Sequence, residues 1–137
     1  RSRKAIEELL DNQREAGFPS RQTFQFGFSQ GCLMTMEMTM RYSHRLAGCI
    51  GISGYIHEPD TALDELSPVA KEQETLFTYG TFDPIIPADK VKGQLSQLIT
   101  EGDLQVEAHE FAKEHTIAGA EELSLIRDFI RMRGPEA

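Results

Sequence analysis

The sequence has no tryptophan, 2 cysteines and a shortage of basic side chains, 14 Lys and Arg against 22 Asp and Glu. Each shortage excludes something. A net charge of −8 argues against a general nucleic-acid binder, which needs clustered Lys and Arg to displace counterions from phosphate. Cys32 and Cys49 do not make a disulfide framework, and a reduced, cytoplasmic protein is the simplest expectation. No stretch approaches the roughly 18 consecutive apolar residues of a transmembrane helix, so no membrane span is expected. No Gly-rich phosphate loop or dinucleotide fingerprint is present, so no nucleotide cofactor is expected. At 137 residues and 39% hydrophobic, the chain suits a single globular domain, residues 1–137.

The opening residues read as helix. Ile6, Leu9, Leu10, Gln13 and Ala16 form a rough 3.6-residue stripe, with Ser2 the sole candidate cap. Gly17 and Pro19 stop it. The chain begins with Arg1 inside this helical pattern, which gives the expectation that further residues precede it.

Beyond Pro19 the pattern alternates. Thr23 to Phe28 is aromatic and β-branched, and predicts a strand. Residues 30–42 predict a helix: Leu33, Met36 and Met40 share one stripe, Met34 and Met38 the next. Leu46 to Ser53 is a small-and-apolar run, as in a strand buried on both faces. Residues 54–73 read as a loop with a short helical turn. Thr75 to Gly80 predicts a third strand, residues 88–100 a helix closed by Gly102, and Leu104 to Phe111 a fourth strand. The last helix runs from about Ala120 to Arg131, with Leu123, Ile126, Phe129 and Ile130 inward and Gly134-Pro135 as its stop. Strands alternating with helices predict an α/β fold with a mostly parallel sheet of about four strands.

In such sheets the chemistry sits at the carboxyl ends of the strands. Ser29, Ser53, Asp83 and His115 follow the four predicted strands. Ser29 is the centre of Gly27-Phe28-Ser29-Gln30-Gly31, a G-x-S-x-G pattern between a predicted strand and a predicted helix. That pattern marks a sharp turn with a strained serine at its apex. Small residues are expected at Gly27 and Gly31, where the chain approaches itself. The Gln30 N–H, at the helix start, would face a developing oxyanion. Asp83, before Pro84, is either a turn aspartate or the carboxylate that orients a histidine. Its competitor Asp89 fits better in the first turn of the next helix. His115 is the candidate base. His109 lies within a strand, and His44 and His57 lie in polar connections. The order Ser29, Asp83, His115 is that of α/β-hydrolases. The His109 to His115 stretch is not a zinc motif: Lys113 stands where H-E-x-x-H needs its second histidine, and Phe111 where H-x-x-E-H needs its first. No metal is expected.

These stretches, with Leu46 to Tyr55, Gly80-Thr81-Phe82-Asp83-Pro84-Ile85-Ile86-Pro87 and Glu114-His115-Thr116, resemble the phospholipase/carboxylesterase family of α/β-hydrolases. That group includes acyl-protein thioesterases and small bacterial carboxylesterases. The resemblance implies Ser29 as nucleophile, Asp83 as acid and His115 as base of an ester or thioester hydrolase, in agreement with the reading of the residues. Two departures stand out. Cys32 occupies a position where many relatives have a second glycine. The family also carries several strands before the nucleophile strand, and a loop there supplies the other oxyanion N–H. The four strands here resemble the last four of that sheet. The nucleophile strand would then be an edge, and an apolar edge such as Phe24-Gln25-Phe26 tends to find a partner, possible in a homodimer. Two readings follow: a serine hydrolase acting on a small ester or thioester, in this chain or as part of a longer one, and a catalytically incomplete half-fold that serves as an assembly or interaction module. A lipase-like or peptidase-like enzyme on the same fold is a lesser rival.

Overall fold

The computed structural model describes residues 2–117 and 119–133. Helix α1 (Ser2–Glu15) is followed by strand β1 (Phe24–Phe28), helix α2 (Gln30–Arg41) and strand β2 (Gly48–Ile52). A short helix α3 (Pro59–Asp64), strand β3 (Glu74–Gly80), helix α4 (Ala88–Gly102), strand β4 (Gln105–Phe111) and helix α5 (Ala120–Arg133) follow, with single 3-10 turns at Ser20–Gln22 and Ala70–Glu72. The strands form one sheet in the order β1-β2-β3-β4, and every pairing is parallel. The expected α/β fold is therefore observed, with boundaries within two residues of those expected for each strand. The Gly134-Pro135 stop and Arg1 lie outside the described residues.

The sheet's two faces follow from alternation along its strands. Ile50, Ile52 and Leu76 point to the face covered by α5, where Ile126 and Phe129 pack on them. Phe77 and Tyr79 point to the other face, with Met36 and Met40 of α2 and Val91, Leu95 and Leu98 of α4. Cys49 joins Met38, Tyr42 and Leu46 in a smaller cluster beneath Leu10 of α1. Helix α2 is buried almost all round, including Thr35, Glu37 and Thr39. This explains the run of methionines: unbranched side chains fill the irregular gap between sheet, α1 and α3.

Three expectations are corrected. On α5 the buried arc is Glu122, Ile126 and Phe129, whereas Leu123 and Ile130 are 55% and 38% exposed. At 100° per residue Leu123 and Ile130 lie on the far flank of Ile126 from Phe129, and α5 docks through the Glu122 and Phe129 side. Among the residues of α1 whose burial is described, Leu10 alone is buried, with Ile6 half-buried against the same cluster; Leu9, Gln13 and, just past the helix, Ala16 are exposed. Gly102 does not close α4. It is the last helical residue, packed against Leu63, and Asp103 takes the left-handed cap at φ 55°.

The two sheet edges differ. β4 presents Glu107, His109 and Glu110, with His109 paired to Glu107 at 2.7 Å and Glu110 to Lys92 at 3.0 Å. Charges of this kind protect an edge. β1 presents Phe26 and Phe28, 52% and 36% exposed, and has a neighbour on one side among the described residues.

Candidate active site

Ser29, Asp83 and His115 all stand beyond the carboxyl ends of their strands, as expected, and the structure brings them together. Ser29 occupies the single step between β1 and α2 with φ 59° and ψ −114°. A left-handed φ is costly for a residue with a Cβ, and such strain gathers at functional sites. Its amide is held by the Ile52 carbonyl at 2.9 Å. A serine at a helix N-cap normally turns its oxygen back onto the helix amides, worth about 1 kcal/mol. Ser29 makes no such bond. Its Oγ instead lies 2.9 Å from His115 Nε2.

The other ring nitrogen, His115 Nδ1, lies 2.7 Å from Asp83 Oδ2. Asp83 Oδ1 accepts the amides of Ile85 and Ile86 at 2.8 and 2.9 Å. Burial works against the charge on Asp83. The Ile86 amide, the His115 ring and the Ile85 amide outweigh it and hold the carboxyl below the ordinary aspartate range. The carboxylate thus stays ionised, and an ionised Asp83 accepts from His115 Nδ1–H. That tautomer leaves Nε2 with its lone pair toward Ser29. Phe28 packs on the imidazole, with ring centroids 5.2 Å apart.

The flanking glycines behave differently from the expectation. A Cβ on Gly27 would lie 2.0 Å from the Gly31 carbonyl oxygen, so glycine is required there. A Cβ on Gly31 would meet nothing within 4 Å. The close approach is real but one-sided: the Cβ direction at Gly27 points at the first turn of α2, whereas that at Gly31 points to open space. Gln30 is the first helical residue of α2, where the N–H has no partner within the helix.

The remaining candidates fall elsewhere. Asp89 sits in the first turn of α4. His57 is exposed beside Glu58, His44 packs near Tyr42, and His109 lies on β4. Cys32, one turn into α2, is fully buried, and burial pushes its thiol up to about 12. It is therefore a packing residue under the turn and not a rival nucleophile. An open cleft of about 620 Å³ flanks the imidazole, lined by Phe82, Pro84, Glu114, His115, Thr116 and Gly119.

Two features escaped the sequence. Ser53, a strand-end residue with no assigned role, is buried with φ 55° and donates its hydroxyl to the Thr116 carbonyl at 2.9 Å. Lys113 and Glu122, to which the sequence assigns no role, are buried and paired at 2.8 Å. No local pattern signals either, because both depend on how α5 docks.

A parallel sheet with a strained serine between strand and helix, and Ser, His and Asp in hydrogen-bonded series at its carboxyl end, is the arrangement of the α/β-hydrolase fold. The chain matches the phospholipase/carboxylesterase family over residues 1–133 and belongs to it. It is 41% identical over 88 residues to acyl-protein thioesterase 1 of Schizosaccharomyces pombe, covering 64% of this chain and 39% of that protein. It is 27% identical over 126 residues to acyl-protein thioesterase 1 of Yarrowia lipolytica, covering 91% and 56%. Among solved structures, Arabidopsis thaliana SOBER1 is similar with a TM-score of 0.88 at 23% identity, over 96% of this chain and 62% of that one. Esterase PE8 is similar with a TM-score of 0.81 at 27% identity, over 93% and 58%. The chain thus spans between two fifths and about three fifths of the length of these relatives. Among the described residues, no helix is long and apolar enough to cross a membrane.

Proposed function

We propose that the chain carries the catalytic triad of a serine hydrolase that cleaves a carboxylic ester or thioester. The observation that carries this reading is the series Ser29 Oγ, His115 Nε2, His115 Nδ1, Asp83 Oδ2, with steps of 2.9 and 2.7 Å. His115 takes the proton of the Ser29 hydroxyl as its oxygen attacks the acyl carbonyl, and Asp83 balances the imidazolium that forms. The Gln30 N–H stabilises the oxyanion. Collapse of the tetrahedral intermediate expels the alcohol or thiol, which leaves with the proton from His115. Water, deprotonated by the same imidazole, then hydrolyses the acyl-enzyme. Exposed Phe82 and Ile85 beside the site favour an apolar acyl portion. No step calls for a cofactor.

Hydrolysis of p-nitrophenyl butyrate by this chain, beside Ser29→Ala, tests the reading. Turnover that vanishes in the variant supports it; equal inertness of two folded proteins refutes it for the chain as it stands.

One observation favours a second reading. The nucleophile strand β1 is an edge that exposes Phe26, so a chain with an incomplete oxyanion hole would serve as an assembly module, pairing β1 with a second copy. Losing one oxyanion donor costs about 10²–10³ in rate, enough to make such a site nearly silent.

A further inference from the structure

His115 sits in the connection between β4 and α5, a segment with little regular structure of its own. Two contacts hold it, one on each side of the histidine. Two residues before His115, the Lys113 side chain turns inward and its Nζ lies 2.8 Å from Glu122 Oε2. Both side chains are enclosed, at 2% and 0% exposure. The same oxygen accepts Thr78 Oγ1–H of β3 at 2.5 Å. The carbonyl of Lys113 accepts the amide of Phe82, the neighbour of Asp83, at 3.0 Å. Gly80 permits this approach, since a Cβ there would lie 2.3 Å from the Lys113 oxygen. One residue after His115, the Thr116 carbonyl accepts the Ser53 hydroxyl at 2.9 Å. The Ser53 amide in turn donates to the Thr78 carbonyl at 2.9 Å. The ends of β2 and β3, the first turn of α5 and the backbone next to Asp83 therefore meet on either side of one imidazole.

Stability does not explain the charges. Desolvating a carboxylate and an ammonium costs several kcal/mol each, and replacing such a pair by apolar residues of similar volume is often neutral or stabilising. What the ion pair supplies is direction. An ammonium has one set of acceptors that satisfies it, whereas an apolar side chain can slide. We propose that Lys113, Glu122 and Ser53 are positioning residues that hold His115 in register between Ser29 and Asp83. The inference rests on the triad reading, because it assigns these residues to the base of that triad.

The test uses the 137-residue chain and two readouts. One is the proton resonance of His115 Nδ1–H, which the Asp83 hydrogen bond shields from exchange; Asp83→Asn identifies it by its loss. The other is the rate at which a fluorophosphonate labels Ser29. Lys113→Met alone removes the cation beside buried Glu122 and endangers the fold, so the informative variant is the double change Lys113→Met with Glu122→Leu. It is expected to melt near the wild-type temperature, to lose the resonance, and to label about 100-fold more slowly, as a misplacement near 1 Å would cause. Ser53→Ala is expected to act in the same direction, and Lys113→Arg to retain both signals. A folded double variant with the resonance intact and labelling within about twofold of wild type overturns the proposal. So does a double variant that does not fold, which would make the pair a stability element. The resonance exists whether or not Ser29 reacts. Wild type that keeps the resonance but never labels refutes the triad, while loss of the resonance in the double variant still supports the clamp.

Discussion

The glycines on either side of Ser29 provide a matched pair of perturbations with opposite expected signs. In Gly27→Ala the new Cβ would fall 2.0 Å from the Gly31 oxygen, 2.2 Å from its carbonyl carbon and 2.7 Å from the Cys32 nitrogen. Ordinary contact begins near about 3.5 Å, so the backbone must separate by about 1.5 Å. Every one of those atoms is backbone in the first turn of α2, so no side chain can swing aside. The Ser29 carbonyl already accepts the Leu33 amide at 3.2 Å, and the Ser29 amide is tied to β2, so movement breaks the turn from one side or the other. Overpacking typically costs 1–3 kcal/mol, and a rigid clash of this kind belongs at about 3 kcal/mol. Gly31→Ala is the reverse case. Gly31 lies in α2, is exposed and would place its Cβ in open space. Alanine there gains helix propensity of up to about 1 kcal/mol. Urea denaturation of both variants beside wild type separates them by midpoint at constant slope. The expected outcome is a large loss for Gly27→Ala and no loss, or a small gain, for Gly31→Ala. Equal destabilisation by both would refute the one-sided geometry.

Other expectations follow from the same contacts. Asp83→Asn leaves His115 Nδ1–H without a carboxylate, so ester hydrolysis is expected to fall by several orders of magnitude, about 10⁴ in the serine-protease template; a loss below tenfold contradicts the assigned role. The Asp83 carboxyl titrates below its ordinary value in the folded chain, so its stabilising contribution is complete above about pH 4 and is lost as pH falls through the folded value. The stability gap between wild type and Asp83→Asn should therefore close in acid, and a gap that persists unchanged to pH 2 would contradict this. Burial pushes Cys32 to about 12 and Cys49 to about 11, so neither thiol should react with a disulfide reagent until the chain unfolds, whereas free-thiol rates in the native protein would refute the packing. If β1 pairs with a second copy, sedimentation should show reversible association that Phe26→Lys abolishes; a monomer at all concentrations argues against the edge as an interface.

Much of this was legible because the information is local. Short apolar, aromatic or β-branched runs marked the strands, and the five residues around Ser29 marked the turn. Strand-end position singled out Asp83 and His115 from their rivals Asp89 and His109. What stayed hidden depends on tertiary placement. Lys113 and Glu122 are charged residues in a polar stretch, and only the docking of α5 over β3 buries them. The side on which that helix docks also leaves Leu123 and Ile130 exposed, which a periodicity argument turns inward. Gly27 and Gly31 are equivalent in the motif, yet the direction of the Cβ in three dimensions separates them. Gly102 is still helical, at a place where a Cβ would crowd Leu63, and Asp103 takes the left-handed cap one residue later.

In the proposed triad His115 activates Ser29. Intact-mass and peptide analysis after fluorophosphonate treatment of the folded chain tests it most directly, because the reaction needs the nucleophile and its base but no turnover. The expected result is one phosphonyl group, on Ser29, and its near-complete loss in His115→Gln. A folded chain that takes up no label, or one labelled equally with and without the imidazole, would contradict it.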